Sequence, residues 1–122
     1  MLLHVMAVKE RILPTDRVHA SWVQFGGAPF LLVTCRMNAY LFKAPLWLSG
    51  VYLPLALLGL AGWRGWTGAR LALTASVYVA AFAVVGQPFN DYWGLMNAPL
   101  LAFGIAAAPE AIHHLYVAVR GQ

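Results

Sequence analysis

Charged positions are sparse along this chain, and they divide it into long apolar runs. Residues 44–63 (APLWLSGVYLPLALLGLAGW) carry no charge over twenty positions, with Lys43 before them and Arg64 after. About 20 apolar residues cross the hydrocarbon core of a bilayer, so this run reads as a spanning helix. Pro54 lies inside it, where bilayer helices tolerate a kink. Residues 69–87 form a second run with Arg70 at its start. Residues 92–109 form a third, with Pro99 inside and Glu110 just beyond. The expected fold is all-α: a polytopic integral membrane helical bundle, built as a single domain over residues 1–122.

The flanks are less regular. Residues 21–42 contain a nearly apolar stretch, but Gly26-Gly27 and Pro29 interrupt it and Arg36 and Asn38 follow closely. This segment reads either as a fourth spanning helix or as a re-entrant or interfacial one. Residues 1–20 hold five of the twelve charges, namely Lys9, Glu10, Arg11, Asp16 and Arg17. Their loose amphipathic pattern, stopped by Pro14, predicts a segment lying at the membrane surface. It is too charged after its first eight residues to read as a signal peptide. Residues 110–122 read as a tail running on as a surface helix.

Small residues recur inside two of the runs. Gly94, Ala98, Ala102 and Ala106 are each four apart, and Glu110 and His114 continue the same spacing. Ala72, Ser76 and Ala80 repeat it in the second run. Helices in lipid associate through close packing, so these stripes are expected to be helix-packing faces.

Composition agrees with a bilayer environment. The chain has 122 residues, 61% hydrophobic and 10% charged, with a mean hydropathy of +0.69. A water-soluble domain is about 25% charged. Eight basic against four acidic residues give a net charge of +4. The basic residues sit at the edges of the apolar runs, where they orient a membrane protein and meet lipid headgroups. Membrane lipids are therefore the expected partners, with another membrane protein or a second copy, and nucleic acid is not. The one cysteine, Cys35, leaves no internal disulfide and no cysteine-based metal cage.

The basic residues also bear on orientation. With four spans, Lys9, Arg11, Arg17, Arg64, Arg70 and Arg120 lie on one side and Arg36 and Lys43 on the other, six against two. With three spans, Lys9, Arg11, Arg17, Arg36 and Lys43 face Arg64, Arg70 and Arg120, five against three. The larger asymmetry favours four spans in a bacterial-type inner or plasma membrane, with both termini cytoplasmic.

Candidate chemistry gathers in two places. The turn at 87–93 carries Gln87, Asn90 and Asp91. Asp91 suits a helix cap, and alternatively a general base or a ligand on the extracytoplasmic face. Glu110, His113 and His114 resemble in spacing half of a di-metal carboxylate site, but the spans offer no second half. They read instead as polar groups wetting a helix end, with Glu110 pairing to His114 across one turn. Asn97, inside the third run, suits a hydrogen bond to another helix. Neither a metal nor a cofactor is expected.

These features favour an accessory subunit or scaffold acting through helix packing, and not an enzyme. One alternative is a part or relative of a membrane enzyme acting on lipid-linked substrates such as sugar-lipids, with Asp91 in its site. A small oligomeric transporter is a further alternative, weakened by the lack of ionisable residues in the spans.

Overall fold

The structure, a computed structural model, describes Met6, Arg11, Leu13 and residues 24–121. The expected surface segment 1–20 thus lies outside the described residues apart from those three. Among the described residues the fold has four α-helices of more than one turn and one 3-10 segment: α1 (Gly27–Cys35), α2 (Leu46–Gly62), α3 (Trp66–Val84), the 3-10 segment Pro88–Trp93, and α4 (Gly94–Arg120). The described residues form no strand.

Local chemistry sets the ends of these elements. Pro45 holds an extended backbone before α2, and proline disfavours helix in the residue ahead of it. Gly65, at φ +96°, turns the chain between α2 and α3. Pro88 opens the 3-10 segment, where its missing N–H costs nothing. α4 runs through Pro99 and Pro109 and takes in most of the expected tail.

Among the described residues two helices are long and apolar enough to cross a membrane: α3, with 19 residues, and the continuous run Pro88–Arg120, with 33. The run expected at 44–63 gives a shorter helix of 17 residues, because Pro45 and the extended Trp63 trim it at both ends. At 1.5 Å per residue it is about 26 Å long, a few residues under a full span. Among the described residues of 21–42 the helix is α1, whose nine residues reach about 14 Å. That is half a bilayer core, so α1 does not span.

α2 and α4 run parallel and in direct contact, and α3, antiparallel to both, packs less extensively beside them. Their contact is set by small residues. A Cβ on Gly59 would collide with the Gly104 carbonyl oxygen and lie 2.7 Å from the Ala108 nitrogen. A Cβ on Gly104 would strike the Ala56 carbonyl, and one on Gly62 would strike the Ala111 side chain. Around this crossing Ala56, Leu60, Leu101, Ala108 and Ala111 are buried. Cys35 joins Ala56 and Leu101 in the core.

The packing faces differ from the small-residue stripes in the sequence. On α4 the buried residues are Gly94, Asn97, Leu101, Gly104, Ala108 and Ala111. Ala102 and Ala106 are exposed and Ala98 half-buried. A strict spacing of four advances about 40° per step around a helix of 3.6 residues per turn, so Gly94 and Ala106 lie about 120° apart. The buried face alternates steps of three and four, which keeps it in line. On α3 the buried residues are Gly68, Ala75 and Phe82, while Ser76 and Ala80 are exposed and Ala72 half-buried.

α1 closes the end of the bundle where α2 and α4 begin and α3 stops. A pair of backbone bonds ties it there: Gly26 N–H to Ala83 O (3.0 Å) and Gly86 N–H to Gln24 O (2.8 Å). Phe30 packs against Gly86, and a Cβ on Gly94 would strike the Thr34 carbonyl. This end carries the candidate site.

Candidate functional site

Asn38 builds one wall of the site. Its amide Nδ2 donates to the Cys35 carbonyl (3.0 Å), and its Oδ1 accepts from the Tyr40 and Leu41 N–H groups (3.0 and 2.9 Å). This asparagine turn ends α1 and folds the next residues back over it. The fold-back brings Phe42 to Arg36, whose Nη2 donates to the Phe42 carbonyl (3.0 Å). The Nε of Arg36 is buried and has no partner among the protein groups.

The opposite wall is the 3-10 segment. Asp91 sits in its first turn, half-buried. Together with Val33, Met37 and Phe42, Arg36 and Asp91 line a cleft of about 210 Å³. A neighbouring cleft of about 400 Å³ is lined by Asn38, Lys43 and Leu95 among others. Met37 and Phe42 border both clefts, so Arg36 and Lys43 stand on either side of one apolar partition. Arg36 and Asp91 do not close into an ion pair. Among the described residues the side-chain contact between an acid and a base is His114 Nε2 to Glu110 Oε1, 3.5 Å, beside the opposite end of α2.

Buried polar side chains lie behind this end. Gln87, Asn90, Asn97 and Ser49 are each at most 4% exposed. Asn90 finds no protein partner for either side-chain atom, and neither does the Oδ1 of Asn97 or the Oγ of Ser49. The register of the α2–α4 crossing, carried two turns back from Ala56 and Gly104, brings Ser49 level with Asn97. Unpaired polar atoms at such depth are costly, and they commonly mark a functional region.

The structure separates the residues that the sequence groups together. Gln87, Asn90 and Asp91 share the α1 end with Asn97 two turns further on. The cap role for Asp91 is not realised, since neither the 3-10 segment nor α4 has a side-chain cap bond at its start. Glu110, His113 and His114 stand on an exposed part of α4, Glu110 and His114 beside the end of α2. Among the described residues no group of three or more His, Cys, Asp or Glu side chains is placed to hold a metal ion.

Arg36, Asn38 and Lys43 enter the site without having been singled out by the sequence as site residues. Asn38 carried a legible signal, as a turn-forming residue just past an apolar run. Nothing in sequence spacing could pair Arg36 with Asp91, because that pairing depends on how α1 closes the bundle. Chemically the arrangement offers two cations, one carboxylate and apolar walls, which suits the polar head of an amphiphile. No protein family model, curated protein or solved structure matches this chain.

Proposed function

We propose that this chain is a multi-pass membrane protein that works as an accessory subunit or scaffold through helix packing. The observation that carries this reading is α3. It has 19 largely apolar residues, yet only Gly68, Ala75 and Phe82 are buried within the chain. Leu73, Val77 and Val84 are all more than half exposed. Such a helix needs lipid or another helix around it. α2 would cross with α3 and α4, its ends eased by tilt or local thinning of the bilayer.

Three crossings change the orientation as well. α1 is too short to span, so the six-against-two distribution gives way to five against three. The residues ahead of α2, and with them the Asp91 cleft, would then lie on the cytoplasmic side and the end of α4 outside.

The test is purification of the protein in mild detergent, with cross-linking from a Val77→Cys variant on the exposed face of α3. A second copy or a stoichiometric membrane partner, cross-linked through position 77, is the expected result. A folded, lone monomer under all conditions would overturn the scaffold reading.

One observation favours a second reading. Arg36 and Asp91 line one cleft without neutralising each other. In an enzyme acting on a lipid-linked substrate, Arg36 would hold an anionic head and Asp91 would act as base. Loss of a measured activity in Asp91→Asn, with the fold intact, would move the assignment to this reading.

A further inference from the structure

We propose that the groove at the opposite end of the α2–α4 pair binds an aminophospholipid, with its phosphate on Arg64 and its ammonium on Glu110. This rests on the membrane reading above and goes beyond it by naming a lipid class.

The groove encloses about 440 Å³, with Trp63 and Arg64 on one side and Phe103, Ala106 and Glu110 on the other. Arg64 follows the end of α2 and lies between Trp63 and Trp66 in sequence, at the depth where tryptophans gather in membranes. Trp63 and Phe103, both in the lining, form a tilted ring pair, 6.3 Å between centroids. The exposed Ala106 and Ala102 continue along α4 toward the bilayer centre. These are the small residues that the α2–α4 crossing leaves unused. Without large side chains there, the face can accept an acyl chain.

Charge selects the headgroup. The mouth holds one cation and one anion, both exposed. A guanidinium takes a phosphate in a forked pair of charge-assisted bonds. Glu110 would repel a headgroup with only negative charge, whereas a primary ammonium donates hydrogen bonds to it. A quaternary ammonium has no N–H to donate. His114 Nε2 lies 3.5 Å from Glu110 Oε1 but does not line the groove itself. Among common phospholipid heads, ethanolamine pairs one phosphate with one primary ammonium and adds no further negative charge for Glu110 to repel.

The experiment reconstitutes the whole chain in lipid nanodiscs of phosphatidylethanolamine, phosphatidylglycerol and phosphatidylcholine in equal parts. Lipids retained after transfer to detergent are then counted by native mass spectrometry. Wild type should retain phosphatidylethanolamine about tenfold over phosphatidylcholine, the scale of one charge-assisted hydrogen bond. Arg64→Gln should lose retention of all three lipids. Glu110→Gln should keep retention but lose the preference for phosphatidylethanolamine over phosphatidylglycerol. Arg120→Gln, outside the groove, should behave as wild type. Unchanged retention in Arg64→Gln, or an unchanged preference in Glu110→Gln, would overturn the site. Displacement of the lipid by free phosphoethanolamine would overturn the acyl-chain contact and with it the lipid assignment. Both substituted side chains are exposed, and the helical circular dichroism signal checks the fold. A chain that extracts from membranes without detergent would remove the membrane reading itself. An embedded chain with unselective lipids would remove only this groove.

Discussion

Gly59 and Gly104 meet backbone to backbone: a Cβ on either would enter the carbonyl group of the facing helix. The two helices reach this distance only because Ala56, Ala108 and Gly62 flank the contact with side chains no larger than a methyl group. In lipid, where no hydrophobic effect presses helices together, such proximity is the main source of their attraction.

Gly59→Ala and Gly104→Ala should each destabilise the fold by about 1–3 kcal/mol, since backbone atoms on the far side cannot move aside cheaply. Gly50 makes a control on the same helix, because a Cβ there meets nothing within 4 Å. Gly50→Ala should be neutral or stabilise by up to about 1 kcal/mol. Reversible unfolding in detergent micelles would compare the three, and equal losses would show that the crossing is not close-packed.

Ala108→Ile and Ala102→Ile separate the two faces of α4. The first pushes a branched side chain into the crossing and should cost about 1–3 kcal/mol of intrachain stability. The second projects outward and should leave the monomer unchanged, while weakening any partner or lipid that uses that face. Matching unfolding curves for both variants would contradict the observed burial.

Asn38→Ala should cost about 1–3 kcal/mol by removing three hydrogen bonds at one turn. Asn38→Asp retains the two bonds accepted by Oδ1 and loses the one donated to Cys35 O, so its cost should be smaller. By contrast Asp91→Ala, which removes no cap, should change stability by less than about 0.5 kcal/mol. Thermal unfolding of the three variants checks the order.

Cys35 is 6% exposed, within the core cluster with Ala56 and Leu101. A maleimide should react with this thiol only after unfolding in strong detergent. Rapid labelling of the native protein in mild detergent would mean that α1 does not stay docked on the bundle.

Reporter fusions after Gln24 and after Gly121 should give opposite signals across the membrane. Three crossings require this and four forbid it. Reporters on the same side would restore a spanning role to residues 21–42.

The long helices were legible because a chain bounded by Lys43, Arg64, Arg70 and Glu110 leaves few other ways to arrange its apolar runs. The helical tail was legible too, but not its unbroken continuation from the third run, since Pro109 and Glu110 look like a break between them. Proline's fixed φ suits a helix, and the carbonyl it leaves unbonded is one loss on an exposed face. The packing face escaped for a geometrical reason: Gly94, Ala98, Ala102 and Ala106 make a regular interval but not a straight line. Of the site, the asparagines and Asp91 could be picked out as polar groups in an apolar setting. Their meeting with Arg36 could not, because it follows from the docking of α1 on the starts of α2 and α4.

In a chain inserted by three crossings, as proposed above, the parallel pairing of α2 with α4 sets a condition on biosynthesis. Helices emerge from the ribosome in order, and α2 and α3 are made before the partner that α2 packs against most closely. Until Gly104 and Ala108 appear, the groove along Ala56 and Gly59 has nothing but lipid to fill it. A helix of 17 residues with a proline inside is a marginal occupant of the bilayer in that interval. Such a nascent chain would depend on its last helix to retain an earlier one, and a ribosome that stalled before residue 104 would leave a hairpin whose α2 lacks its main packing partner.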